Sequence, residues 1–487
     1  MKNTKKDDIK IVKNNSNRKI SVLPKIQKLL KNKTVALAAA AVLIVFLIAV
    51  KGFVTGSYTK NTAIFTDEAN KKTLIAVGEK ILSEQADGEL SGEPVRSADG
   101  KTTVFLTYSK NESSSYYTLY AVRNKRLIRI TNNISSSFTL SSSGNAVCYT
   151  DREGSLKLNP ISGQDSLVSE TADEYCVSPD GKTVIFSSYD ESGLSYNLYC
   201  FKKGSVSEIG TGLVPVGVEN NAENIYACDT EFKTLYSVSP DGKEKNKISE
   251  ITDSNILFNS DCTQIIFNSD SGTYICFSGS VRKIIYPFTD AYPVFSDDYI
   301  PIVTNEKHGI KIYPTDDFTD MYYYLAEEKT LSYIDSNCAR TDIFENVTNV
   351  SVSSDLKYVY FTDSSESLYM IKNKKEPVCV KNEVSDFNIS NDGKFYTFTN
   401  SSGAKEFAKS KKSFYTENNV KFNAITSNGR ILYTMPDKQS CLFEILKSGK
   451  TKQISDSVSF VGFDKYSGSV IYFETDKKGG TVCKIIA

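Results

Sequence analysis

The densest chemistry in this chain lies between residues 316 and 324. Asp316, Asp317 and Asp320 alternate with Phe318, Thr319 and Met321, and Tyr322-Tyr323-Tyr324 follow. Carboxylates accept hydrogen bonds, and tyrosines offer flat, amphipathic contact surfaces. On a loop held by a rigid scaffold, such a set suits recognition of a partner. Asp316, Asp317, Asp320, Tyr322, Tyr323 and Tyr324 are therefore the candidate binding residues. The plain alternative is a degenerate structural unit, or a surface hairpin, whose tyrosines pack locally.

Catalytic chemistry is poorly represented. The chain has one histidine, His308, in the polar stretch Glu306-Lys307-His308-Gly309. One histidine rules out a His-rich zinc site and disfavours a Ser-His-Asp triad. There is no Gly-x-Ser-x-Gly elbow, no phosphate-cradling Gly-Lys-Ser/Thr loop and no Gly-x-Gly-x-x-Gly. Asp190, Glu191, Asp270 and Asp363 sit in polar turns without the spacing of a calcium loop. No cofactor or metal site is expected. A carboxylate pair for glycoside cleavage stays open, because its separation is a property of the fold.

The elements that position these residues are announced by a recurring phrase. Ser178-Pro179-Asp180-Gly181-Lys182-Thr183-Val184-Ile185-Phe186 is a polar turn followed by an apolar strand. Aligned on Gly181, copies fall at Gly100, Gly144, Ala222, Cys262, Asp298, Leu356, Gly393, Gly429 and Gly468. Spacings are 36 to 44 residues, except 58 between Asp298 and Leu356, the interval that holds the acidic and aromatic segment. After each turn an inner strand, a polar hairpin tip and further alternating strands make about four strands per unit. That is a propeller blade, and the fold class is an all-β propeller of about 7–10 units. Ten marks allow three readings: some are false, the ring is unusually large, or there are two rings. The earlier strands around Ala63-Ile64-Phe65 and Thr73 to Val77 are expected to complete the final blade.

The Ser-Pro-Asp-Gly-Lys phrase with its apolar strand resembles the TolB-like propeller repeat, which also occurs in the propellers of dipeptidyl-peptidase-type enzymes. The resemblance covers about residues 97 to 487 and is clearest at Ser178 to Phe186 and Ser390 to Phe398. It implies a binding or assembly role at the cell envelope. With no tryptophan, the chain carries no Trp-Asp dipeptide.

Placement is read from the other end of the chain. Residues 1–34 carry eleven Lys and Arg against two Asp, a charge of +9, so the remainder sums to −9. An apolar run from Val35 to Val50 follows, and Gly52-Phe53-Val54 lengthen it beyond Lys51. A basic flank beside an apolar run places the flank inside. The expected organisation is a cytoplasmic tail (1–33), a transmembrane helix (34–56) and an extracellular propeller (57–487). A cleaved signal peptide is the alternative. The ten cysteines show no paired spacing and mostly fall in strands, as free buried thiols do. The acidic ectodomain argues against nucleic acid as a partner. Expected partners are an envelope protein or glycan, with membrane lipid at the anchor. Two functions remain: a non-enzymatic binding, sensing or scaffold module, or a surface lyase or hydrolase with carboxylates in the propeller channel.

Overall fold

Alternating and continuous apolar strands, each closed by a tight turn, build eleven antiparallel sheets in chain order. In the computed structural model, residues 62–487 are described, apart from short stretches that include 284–291, 296–300, 306–309, 316–317 and 476–480. The chain divides into two units, Met1–Ser57 and Tyr58–Ala487. Nine sheets have four strands, the seventh has six and the eleventh three. We number them as blades 1 to 11: 62–87, 89–134, 138–169, 174–211, 213–250, 257–283, 292–344, 347–381, 384–417, 422–455 and 458–486. The fold is an all-β propeller of eleven blades, more than the 7–10 units expected.

Strand alternation glues the blades together. In Thr183–Asp190, Val184 and Phe186 pack toward blade 3, while Ile185 packs toward blade 5. Successive side chains of an inner strand thus feed two different interfaces. Every consecutive pair of blades shares an apolar cluster of this kind, from Ile75 against Phe105 at the start to Leu432 against Val470 at the end. Continuity across all ten seams makes one ring, not two. Blade 1 is a sheet of its own and does not complete blade 11 by strand pairing, contrary to expectation. The ends meet through packing of Lys80–Ile81 against Thr481–Ile486, and through an ion pair between Arg96 and Asp464, 3.5 Å apart with side chains 5% and 9% exposed.

Nine of the ten marks fall between the first and second strands of their sheets, and the tenth, Asp298, lies outside the described residues. At Gly181 the turn closes with Gly181 N–H donating to Ser178 O, and Thr183 N–H to Ser178 Oγ. Asp180 Oδ1 accepts from Ser178 Oγ and Lys182 N–H. The fourth position needs a left-handed backbone: φ is +76° at Gly181 and +65° at Gly393, but also +56° at Ala222, +60° at Cys262 and +52° at Leu356. A Cβ on Gly181 would come within 2.8 Å of Ala146 Cβ in the preceding blade, so glycine is required there for space as well as conformation.

The 58-residue interval resolves into a regular unit. Thr315 and Asp320 repeat the hydrogen bonds of Ser178 and Thr183, and Phe318, at φ +49°, donates its N–H to Thr315 O. Phe318 is the true counterpart of Gly181 in blade 7. The surplus is the pair Tyr292–Phe295 and Pro301–Asn305, which extends the sheet beyond Ile310–Pro314.

Among the described residues, no helix is long and apolar enough to cross a membrane. The expected anchor at 34–56, the tail at 1–33 and His308 lie outside the described residues. The nine described cysteines are free; Cys148, Cys200, Cys228 and Cys276 are buried, and Cys379 is exposed.

Candidate functional site

Two recesses gather polar side chains, and the repeat turns build both. The larger, about 520 Å³, opens where the first turns of blades 2 to 6 meet. Successive turns are tied to one another: Ala98 N–H donates to Ser142 O, Ser143 N–H to Pro179 O, and Asp180 N–H to Asn220 Oδ1. Asp99, Lys101, Arg123, Asn145, Asp180 and Asp261 face this recess. The Arg123 guanidinium donates to Asn145 Oδ1 at 2.8 Å.

Two of the carboxylates here, Asp99 and Asp180, are held as anions. Burial works to raise Asp99 and Asp180, but hydrogen bonds from Ser97 and Lys101, and from Ser178 and Lys182, hold both below the usual carboxylate range. Asp261 accepts from the Thr263 N–H and hydroxyl. A general acid needs a carboxyl pushed the other way. The recess therefore presents alternating fixed charges, amides and backbone groups, which suits binding of a polar, neutral or zwitterionic surface.

The smaller recess, about 290 Å³, lies between blades 7 and 8. Asp320 is its hub. One carboxylate oxygen accepts from the Tyr333 hydroxyl, and the other lies 2.6 Å from Lys374 Nζ. Lys374 also sits 5.0 Å from the Tyr333 ring centroid, a cation–π contact. Burial would lower Lys374, but Asp320 and Tyr333 outweigh it and raise its pKa. Burial, then the Asp320 hydrogen bond, raises Tyr333. Both groups are held in their protonated forms, Tyr333 neutral and Lys374 cationic, which suits a recognition element rather than an acid–base pair.

The candidate residues separate accordingly. Asp316 and Asp317 lie outside the described residues. Asp320 and Tyr322 line the smaller recess. The three tyrosines are not on a loop: they form the strand Met321–Leu325 and are 2%, 0% and 6% exposed in order. Alternation sends Tyr322 and Tyr324 toward blade 8, where the Tyr324 hydroxyl donates to Val347 O at 3.2 Å. Tyr323 points into the seam with blade 6. Their rings pack in the two seams, and Tyr322 also edges the smaller recess. Tyr333, Asp355, Lys357 and Lys374 join the recess without having been singled out in the sequence; Asp355-Leu356-Lys357 was visible there only as a repeat turn.

No family model matches this chain, and no curated protein matches it. Among solved structures it resembles the tricorn protease, with 12% identity, 85% of this chain and 54% of that chain covered, and a TM-score of 0.26. It also resembles dihydro-heme d1 dehydrogenase NirN in complex with DHE, with 13% identity, coverage of 74% and 73%, and a TM-score of 0.36. The chain thus spans about half the length of the tricorn protease chain, and neither likeness bears on activity.

Proposed function

We propose that this chain is a membrane-anchored extracellular propeller that binds a polar ligand or protein partner at the mouth formed by the turns of blades 2 to 6. The observation that carries this reading is that mouth: five consecutive turns present fixed charges and amides around one recess of about 520 Å³. Preorganised polar groups on a rigid frame favour binding, because little ordering entropy is lost on association. The basic tail and the apolar run from Val35 to Val50 support the anchor and the orientation. Likeness of the Ser178 to Phe186 phrase to the TolB-like repeat supports a binding or scaffold role at the envelope, with an envelope protein or glycan as partner.

The test uses full-length protein in detergent and immobilised wall glycan or envelope extract. Saturable binding should be lost in Arg123→Ala/Asn145→Ala while the melting temperature is kept. Shortening of the glycan by the wild type, abolished by Asp261→Asn, would replace this reading with a surface carbohydrate-active enzyme.

A further inference from the structure

The face of the ring opposite the repeat turns is uneven. Second-to-third strand connections open there. Counted from the aligned turn position, the strand after the turn ends ten residues on in blade 2, at Lys110, and nine on in blade 4, at Asp190. It ends six on in blade 3, at Thr150, and six or seven on in blades 5 to 11. A strand rises about 3.4 Å per residue, so blade 3 lies about 14 Å below one neighbour and about 10 Å below the other. Sheets packed face to face are about 10 Å apart, which sets blades 2 and 4 about 20 Å apart across the cleft.

The two walls differ in chemistry. Val104 and Leu106 pack toward blade 3, and alternation turns Tyr108 the same way. Its cross-strand partner Tyr117 shares that face, with ring centroids 5.4 Å apart, and both side chains are half-buried. From the other side Val184 and Phe186 pack toward blade 3, which gives the same aspect to Ser188 and its partner Asn197. The floor is polar. Arg152 and Glu153 are exposed at the tip of the blade 3 hairpin. The Arg152 guanidinium lies 5.9 Å from the Tyr116 ring centroid, and Asn133 Nδ2 donates to Glu153 Oε2 at 2.6 Å. Three exposed hydroxyl pairs flank them: Ser135 with Thr150 at 2.9 Å, and Ser137 with Tyr175 and Thr171 with Ser188, each at 3.0 Å. A hydroxyl has one donor and two acceptor sites, so each pair keeps capacity for a ligand.

We propose that this cleft binds a neutral oligosaccharide, with sugar rings laid against Tyr108 and Tyr117 and sugar hydroxyls on the floor and the far wall. A pyranose presents C–H groups on one face and hydroxyls around its rim, which matches one aromatic wall beside rows of donors and acceptors. Arg152 and Glu153 balance each other, so the floor selects neither sign of charge. A peptide added as a strand needs an unpaired sheet edge, whereas both walls are sheet faces. The cleft lies at the opposite end of the strands from the mouth of blades 2 to 6, and is independent of that site and of the anchor.

Contacts through two tyrosines and exposed hydroxyls are too weak for a washed support, so binding is read in solution by saturation-transfer NMR, on the full chain in a sugar-free detergent. The mouth is disabled with Arg123→Ala/Asn145→Ala, and cellohexaose, mannohexaose and N-acetylchitohexaose are the probes. At least one should receive saturation from the tyrosine rings and titrate to a plateau. Adding Tyr108→Ala or Tyr117→Ala should weaken that binding about tenfold. Arg152→Ala, at an exposed position, should weaken it several-fold and serves if a tyrosine variant fails to fold. Tyr189→Ala, on the face of blade 4 turned toward blade 5, should bind as before. Saturation of none of the three sugars, or equal affinity in the tyrosine and Arg152 variants, would overturn the cleft. Binding only while Arg123 and Asn145 are intact would overturn it too, and would leave the mouth as the glycan site.

Discussion

Leu356 and Gly393 occupy the same position in adjacent turns, yet their side chains differ by four carbons. Both have a left-handed backbone, φ +52° and +65°. A Cβ at Gly393 would lie 2.5 Å from Tyr358 Cβ, whereas Leu356 is accommodated at 8% exposure within the cluster shared by blades 7 and 8. The conformation costs Leu356 about 1–2 kcal/mol, and its burial returns about 2–3. Leu356→Gly should therefore cost only about 1 kcal/mol, measured by denaturant unfolding. Gly181→Val meets both the backbone cost and the contact with Ala146, and should lose about 3 kcal/mol. Gly154→Val is the control: φ is +90° there, but nothing lies within 4 Å of a Cβ. Equal losses at 181 and 154 would refute the packing argument. The turn carboxylates set a pH dependence. Asp99, Asp180, Asp355 and Asp392 all titrate below their usual value. Their contribution is therefore present above the unfolded value, near pH 4, and is lost as pH falls through the folded ones. The melting temperature should drop below about pH 4, and with a shallower slope in Asp180→Asn.

At the scale of elements, the sequence exposed turns better than it exposed strands. Ser-Pro-Asp-Gly-Lys is legible because each residue serves the turn: Ser and Asp fold back on backbone N–H groups, and Gly adopts the left-handed backbone. Thr315 to Asp320 makes the same turn with Phe318 in place of Gly, and lacks the residue that draws the eye. From sequence alone, the acidic and aromatic residues there fit either a binding loop or a degenerate unit whose tyrosines pack locally. Their alternation between two seams becomes visible only once the turn before them is known. The recess at Asp320 was half legible for a related reason, since Tyr333 and Lys374 reach it from a different strand and from the next blade. There, Lys374→Met and Tyr333→Phe should each weaken stability by about 1 kcal/mol. Their coupling in a double-mutant cycle should exceed 0.5 kcal/mol (about the threshold for groups in contact). Strict additivity would show that the trio does not act as a unit.

At the scale of the molecule, the ring is closed without strand exchange. Blade 1 and blade 11 remain separate sheets, and Arg96 and Asp464 bridge blades 2 and 11 across 368 residues of sequence. Removing one side of a buried ion pair costs about 3–5 kcal/mol, and less where the other charge keeps a hydrogen bond, as Arg96 does with Pro94 O. Asp464→Ala should lower the melting temperature and speed hydrogen exchange in blades 1, 2 and 11 before blades 5 and 6. Uniform acceleration around the ring would show that closure is not localised there. No sequence pattern announces this contact: Asp464 takes part in the turn at Gly468, accepting from the Gly468 N–H and the Ser467 hydroxyl, but nothing in that turn points to Arg96.

Strand alternation across the seams has a bearing on how such a ring acquires its size. Because a blade is recognised only by the two surfaces it presents, its neighbours cannot register how many others stand beyond them. A duplicated unit meets a surface equivalent to the one its parent met, and the circumference absorbs it through a small change of angle at every joint. The extra pair Tyr292–Phe295 and Pro301–Asn305 is different in kind: it lengthens one sheet and adds no blade to the ring. Blade number in this architecture behaves as a count that drifts by copying, while the grammar of each joint stays constant.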